Sequence, residues 1–143
     1  MLFLLADKST VVIFNTSTYQ SRQFLLPTPI EPINVFWSVE DQNVFLQTVE
    51  GEIWWLSEFT DVSPHEPITP LDLAVRTAFW NPQHDTLVML TKDNSLWAIH
   101  NMSTPTITQL TASLPDIHTV RWSPDGHHVA FVNGSDIYII SPP

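Results

Sequence analysis

Apolar residues along this chain fall into short runs, separated by polar stretches rich in Asn, Asp, Ser, Thr and Pro, and the arrangement recurs. Ile33-Asn34-Val35-Phe36-Trp37-Ser38, Arg76-Thr77-Ala78-Phe79-Trp80-Asn81 and His118-Thr119-Val120-Arg121-Trp122-Ser123 align on tryptophans spaced 43 and 42 residues apart. A fixed period of this length marks a repeat architecture. Each Trp is followed by a polar turn and a second apolar run, at Asn43–Thr48, Thr86–Thr91 and His128–Val132. Met1–Ala6 matches that second run, with Leu2 falling 42 residues before Val44, so the pattern starts inside a repeat. A third run follows in all four copies, at Thr10–Phe14, Ile53–Leu56, Leu96–Ile99 and Ile137–Ile140. A weaker fourth occurs at Gln23–Leu26, Pro67–Thr69 and Thr106–Leu110.

Runs this short, rich in β-branched and aromatic residues and bounded by turn formers, predict strands, and no segment has convincing helical spacing. Labelled A to D, the strands read BCD, ABCD, ABCD, ABC over approximate repeats 1–32, 33–74, 75–116 and 117–143, one partial domain of 14 strands. The middle runs are apolar at successive positions, whereas a sheet with one wet face alternates. Blades sandwiched between neighbours explain this. The expected fold is therefore all-β: a β-propeller of four-stranded antiparallel meanders, about three and a half to four blades, partial or completed by oligomerisation. The prolines gather in turns, in the linkers Pro27–Pro32 and Pro64–Pro70, and near the D strands, where a missing N–H is tolerated at an edge.

Val120-Arg121-Trp122-Ser123-Pro124-Asp125-Gly126-His127-His128-Val129-Ala130-Phe131-Val132, followed by Asp136–Ile140, is similar to the WD40-like propeller repeat of TolB and of the propeller domains of prolyl-oligopeptidase-type peptidases. Physically, Pro124 presets φ at the second turn position, Asp125 tolerates the third, and Gly126 permits positive φ before strand B. Trp122 supplies a large apolar plate between blades. The likeness is sharp over residues 117–141. Asn81-Pro82-Gln83-His84 keeps only the proline, and Ser38-Val39-Glu40-Asp41 keeps neither proline nor glycine. The resemblance implies a propeller, and in the peptidases a propeller accompanying a separate α/β domain that carries the catalytic Ser, Asp and His.

With 43% apolar and 14% charged residues the chain is globular in composition, and it has no cysteine for disulfides or thiolate metal sites. A net charge of −10, with Lys8, Arg22, Arg76, Lys92 and Arg121 as the only strong bases, argues against nucleic acid and against an anionic membrane surface. The apolar start is too short for a signal peptide or a span, so no membrane insertion is expected. The triplets at Asn15, Asn101 and Asn133 fit the glycosylation pattern but are common by chance in such loops.

Nucleophile-elbow, HExxH, Walker-type and dinucleotide fingerprints are absent, so neither an enzyme nor a cofactor is expected. His127 and His128, as successive strand residues, point to opposite faces, and His65, His84, His100 and His118 sit at turns. No metal site follows. Trp54 and Trp55 occupy the position of Trp97-Ala98 and Tyr138-Ile139, which favours inter-blade packing over an aromatic platform. Alternating strand direction puts the B–C and D–A turns on one face. The candidate binding face there is Asp7, Glu50, Glu52, Asp93, Asn94 and Asp136, with Glu31, Asp72 and Asp116 beside them and Lys8 and Lys92 as bases. A solvated rim is the bland alternative.

Two functions fit: a non-catalytic scaffold that binds a protein or peptide, or an accessory propeller segment of a larger hydrolase or sensor. Fourteen strands do not close comfortably, because propellers need about four to eight blades. The first sheet lacks an inner A strand and the last an outer D strand. The expected completion is the rest of a larger propeller, or a second copy giving 28 strands in all.

Overall fold

The computed structural model describes residues 2–4, 7–38, 43–57, 66–70, 72–101 and 105–143. The turn at Val39–Asp41, His65, the first part of the Pro64–Pro70 linker, and the Met102 and Ser103 of one glycosylation triplet lie outside the described residues. All regular structure among the described residues is β. Sheet one comprises β1 (Leu2–Leu4), β2 (Thr10–Asn15) and β3 (Gln20–Leu25); sheet two, β4 (Pro32–Trp37), β5 (Asn43–Thr48) and β6 (Ile53–Ser57). Sheet three holds β7 (Val75–Trp80), β8 (Thr86–Thr91), β9 (Leu96–His100) and β10 (Thr106–Gln109); sheet four, β11 (Ile117–Trp122), β12 (Val129–Asn133) and β13 (Asp136–Ile140). Every pairing is antiparallel and between chain neighbours, the meander of a propeller blade.

Apolar side chains gather in three layers, one in each gap between successive sheets. Val11, Ile13, Phe24 and Leu26 of sheet one meet Val44, Leu46, Trp54 and Leu56 of sheet two. Phe45 and Ile53, on the opposite face of sheet two, meet Ala78, Leu87, Met89 and Ile99 of sheet three. Val88, Leu90, Leu96 and Ala98 then meet Val120, Val129 and Phe131 of sheet four. The unbroken apolar runs are thereby explained, since every residue of β5 and of β8 is buried and these strands have no wet face.

The turns follow local chemistry. Gly126 has φ 72° and donates its N–H to Ser123 O at 3.0 Å, closing the Ser123–Gly126 turn, while Ser123 N–H reaches His128 O at 2.8 Å. The expected positive φ is present. A feature the sequence did not disclose is a register shift near the start of each inner strand, at Pro32/Asn34, Val75/Thr77 and His118/Arg121. Such bulges bend and twist the strand locally.

Three expectations need correction. Pro67–Thr69 is not a ladder strand: Ile68 N–H reaches Ile53 O at 2.8 Å and Thr69 Oγ1 accepts from Ile53 N at 3.1 Å, while Pro67 and Pro70 have no N–H to extend the pairing. Thirteen strands are therefore described, not 14. The first copy is also shifted by one residue. Val11 and Ile13 turn toward sheet two, and their ladder partners are Leu4 and Leu2, whereas Val44, which the 42-residue spacing matched to Leu2, turns back toward sheet one. Because side chains alternate, one residue exchanges the faces, and the wholly apolar Leu2–Ala6 gave no sign of which face was inner.

The three aligned tryptophans are not equivalently buried. The Trp80 ring stacks on Phe45 with centroids 5.0 Å apart, and Trp122 Nε1–H donates to Phe79 O at 2.9 Å, each reaching the preceding sheet. Trp37 is 41% exposed, with Val35 at 42% and Ile33 at 52%. Sheet one has no strand inside β1 among the described residues, so β4 has no inner strand to pack against on that side.

Candidate functional site

The B–C turns are tight, and each uses a residue in the left-handed region. Glu50-Gly51 and Asp93-Asn94 form turns closed by Gly51 N→Thr48 O at 3.0 Å and Asn94 N→Thr91 O at 3.1 Å, with φ 95° at Gly51 and 60° at Asn94. Lys8 has φ 57°, and Gly134 φ 63° in the two-residue turn between β12 and β13. Each turn is clasped to the D–A segment beside it: Val49 N–H donates to Glu31 O, Lys92 N–H to Ala74 O, both at 2.9 Å, and Gly134 N–H to Asp116 O at 3.1 Å. The next blade is tied in by Val75 N→Gly51 O at 2.9 Å and Leu114 N→Asn94 O at 3.0 Å. The face is thus assembled by backbone hydrogen bonds, which leave side chains at its rim.

Between the segment that leads into β7 and the B–C turn of sheet three lies a cleft of about 490 Å³ whose lining includes Asp72, Leu73, Ala74, Lys92, Asp93 and Trp97. A smaller recess of about 50 Å³ adjoins it, lined by Glu50, Gly51 and Glu52 and sharing Pro70, Leu73 and Ala74. Glu50, Glu52 and Asp93 are therefore brought to one place, with Asp72 and Lys92. Asp7 belongs to the β1–β2 turn and Asp136 opens β13, so these two lie on other sheets.

Several of the candidate side chains hold their own turns together. Asp7 accepts from Ser9 N and Thr10 N, both at 2.9 Å, and from Thr10 Oγ1 at 2.8 Å; these bonds, that from Thr10 N foremost, hold its carboxyl below the ordinary value. Asp93 accepts from the Thr91 hydroxyl and from Ser95 Oγ at 2.9 Å, with the same effect and Thr91 as the leading cause. Glu52 Oε2 accepts from Trp54 Nε1 at 3.0 Å. Asn94 Oδ1 accepts from Arg76 Nη1 at 2.9 Å, and its Nδ2 reaches Pro115 O at 3.3 Å. Glu50 and Asp72 are exposed.

These depressed acids set the sign of an acid response. A carboxyl held below its unfolded value near 3.8 contributes stability above that pH and loses it as pH falls through the folded value. Thermal melts should show little effect of these groups from neutrality to about pH 4.5 and a falling Tm below about pH 4, with Asp93→Asn shallower over that acid limb. An acid limb of unchanged slope in Asp93→Asn would remove Asp93 from this role.

Other residues settle as structure. Trp54 is 2% exposed in the layer between sheets one and two, and Trp55 packs into the next layer with its Nε1–H donated to Asn43 Oδ1 at 3.1 Å, so the pair is no stacking platform. His127 and His128 diverge: the His127 ring lies 5.3 Å from that of His84, whereas His128 Nδ1 pairs with Ser141 Oγ at 3.0 Å. Among the described residues no three His, Asp or Glu side chains converge on a metal position.

Two inter-blade struts escaped the sequence reading. Arg76 bridges sheets three and four by also donating Nη2–H to Ile117 O at 2.8 Å. Asn81, 1% exposed, caps its own turn through Gln83 N and His84 N at 2.8 and 3.1 Å and donates Nδ2–H to Gly126 O at 2.8 Å. The Asn-Pro pair signals the turn. Its bond to the following blade has no local signature.

Stacked antiparallel meanders of three or four strands, inter-sheet apolar layers and clasped turns define these sheets as blades of a β-propeller. Residues 92–142, about a third of the chain, match the family described as the dipeptidyl peptidase IV (DPP IV) N-terminal region. That stretch runs from the β8–β9 turn through sheet four, including the Ser123–Gly126 turn. No curated protein matches the chain.

Proposed function

We propose that this chain is an accessory propeller segment of a larger peptidase-type hydrolase, itself non-catalytic, which positions or gates the domain where hydrolysis occurs. The observation that carries the reading is the match of residues 92–142 to the N-terminal region of dipeptidyl peptidase IV, over β9 and β10 of sheet three and the whole of sheet four. The TolB-like form of the Ser123–Gly126 repeat is compatible with it. An antibody against residues 92–142 should detect in source cells a polypeptide much larger than 16.3 kDa, and the captured material should hydrolyse a chromogenic dipeptide substrate. A lone band near the mass of the chain, without activity, would refute the proposal.

A second reading, a scaffold that receives a protein or peptide, is favoured by the cleft beside the B–C turn of sheet three. There the exposed Asp72, Lys92 and Asp93 surround apolar Leu73, Ala74 and Trp97, which suits a peptide with an apolar side chain flanked by charge.

A further inference from the structure

The outer face of sheet four carries an unmet apolar surface at defined repeat positions. In the β12–β13 ladder, Ile137 pairs with Val132 and Ile139 with Ala130. The corresponding pairs in sheet three are Leu90↔Leu96 and Val88↔Ala98, and in sheet two Gln47↔Ile53 and Phe45↔Trp55. Leu96, Ala98 and Ile53 are each 0% exposed, because the following sheet covers them. Ile137 is 74% exposed and Ile139 69%. A terminal repeat that faces water ordinarily carries polar residues at such positions; this one carries isoleucines. Its outer strand edge is open as well, since among the described residues β13 has no strand partner on the side where β10 covers β9.

We propose, resting on the reading of the chain as a segment of a larger propeller, that this face docks a further blade of the same repeat type, carried by that larger polypeptide. Continuity with the existing interfaces specifies what the blade brings. Trp122 donates its indole N–H to Phe79 O, on the last residue but one of the preceding inner strand, at 2.9 Å, and Trp80 stacks on Phe45 of the preceding sheet. Arg121 is the last residue but one of β11. The incoming inner strand therefore ends in an aromatic residue, with Trp best suited, lying over Ala130 and Ile139 and donating to Arg121 O. β-Branched or leucine side chains from its second strand cover Ile137.

The test uses the polypeptide isolated from cells with Ile137→Lys and Ile139→Lys combined, and Tyr19→Lys, at a turn residue 81% exposed, as the control. Tm and solution mass are measured for each. Docking predicts a Tm lowered by about 5 °C or more in the double variant at unchanged mass, with the control within about 1 °C of the parent. Because both isoleucines face water in the 143-residue chain alone, the same double variant of that chain should keep the circular dichroism of its parent, which separates lost docking from lost folding. An unchanged Tm would show a solvated face and overturn the inference. A mass that halves in the double variant would assign the face to a second copy and overturn it too. The size of the cellular polypeptide is read independently by antibody, so failure of the segment reading is seen separately from failure of the docking face.

Discussion

Replacing Gly51 with alanine is expected to destabilise the protein by about 2–5 kcal/mol, from backbone strain and overpacking together. At φ 95° the residue holds a conformation that side chains oppose, and an added Cβ would lie 2.6 Å from Val75 O and 2.8 Å from Val75 N. Those are backbone atoms of the next inner strand, engaged through Val75 N→Gly51 O at 2.9 Å, so they cannot rotate aside as a side chain would. Gly134 supplies the comparison. Its φ is 63° and a Cβ there would meet nothing within 4 Å, so Gly134→Ala should show the conformational cost alone, about 1–2 kcal/mol. Urea unfolding of both variants measures the difference. If Gly51→Ala is no worse than Gly134→Ala, the close approach of blades two and three at this turn is not formed.

Trp54→Ala should have an effect of similar size, about 3–5 kcal/mol, as expected for truncation of a buried aromatic side chain. Trp54 is 2% exposed among Val11, Ile13, Phe24, Val44, Leu46 and Leu56, and the void would open in the layer joining sheets one and two. Trp37→Ala, at 41% exposure, should cost less than half as much. Equal costs at the two positions, measured by denaturant titration, would mean that Trp37 is covered after all.

The difference between those tryptophans shows what was and was not legible in the sequence. The spacing of Trp37, Trp80 and Trp122 identified the inner strands, and unbroken apolar runs such as Val44–Leu46 and Leu87–Leu90 identified sheets covered on both faces. Exposure of a given Trp depends on whether a strand lies opposite it in the preceding blade, which is a property of the stack and not of the local pattern. The match of Leu2 to Val44 failed for a related reason: Leu2–Ala6 is apolar throughout, so alternation could not choose the inner face, and a one-residue shift reversed it. The prolines at 67 and 70 are visible in the sequence, but that they limit the pairing with β6 to bonds at Ile53 shows only in the fold.

The candidate site was legible in outline only. Alternating strand direction placed Glu50, Glu52, Asp93 and Asn94 on neighbouring turns. It did not distinguish exposed carboxylates from those hydrogen-bonded within their own turns, as Asp7 and Asp93 are. Nor did it disclose Asn81, whose bond to Gly126 O spans two repeats and depends on their packing.

The claim on which the account rests is that consecutive meanders stack face to face as blades, and nuclear Overhauser spectroscopy on the 143-residue chain tests it most directly. The account predicts cross-peaks between the rings of Phe45 and Trp80, whose centroids are 5.0 Å apart, and between the Trp122 indole proton and the backbone around Phe79, where the N–O distance is 2.9 Å. Absence of both in a folded sample, or cross-peaks placing Phe45 against sheet four, would contradict it.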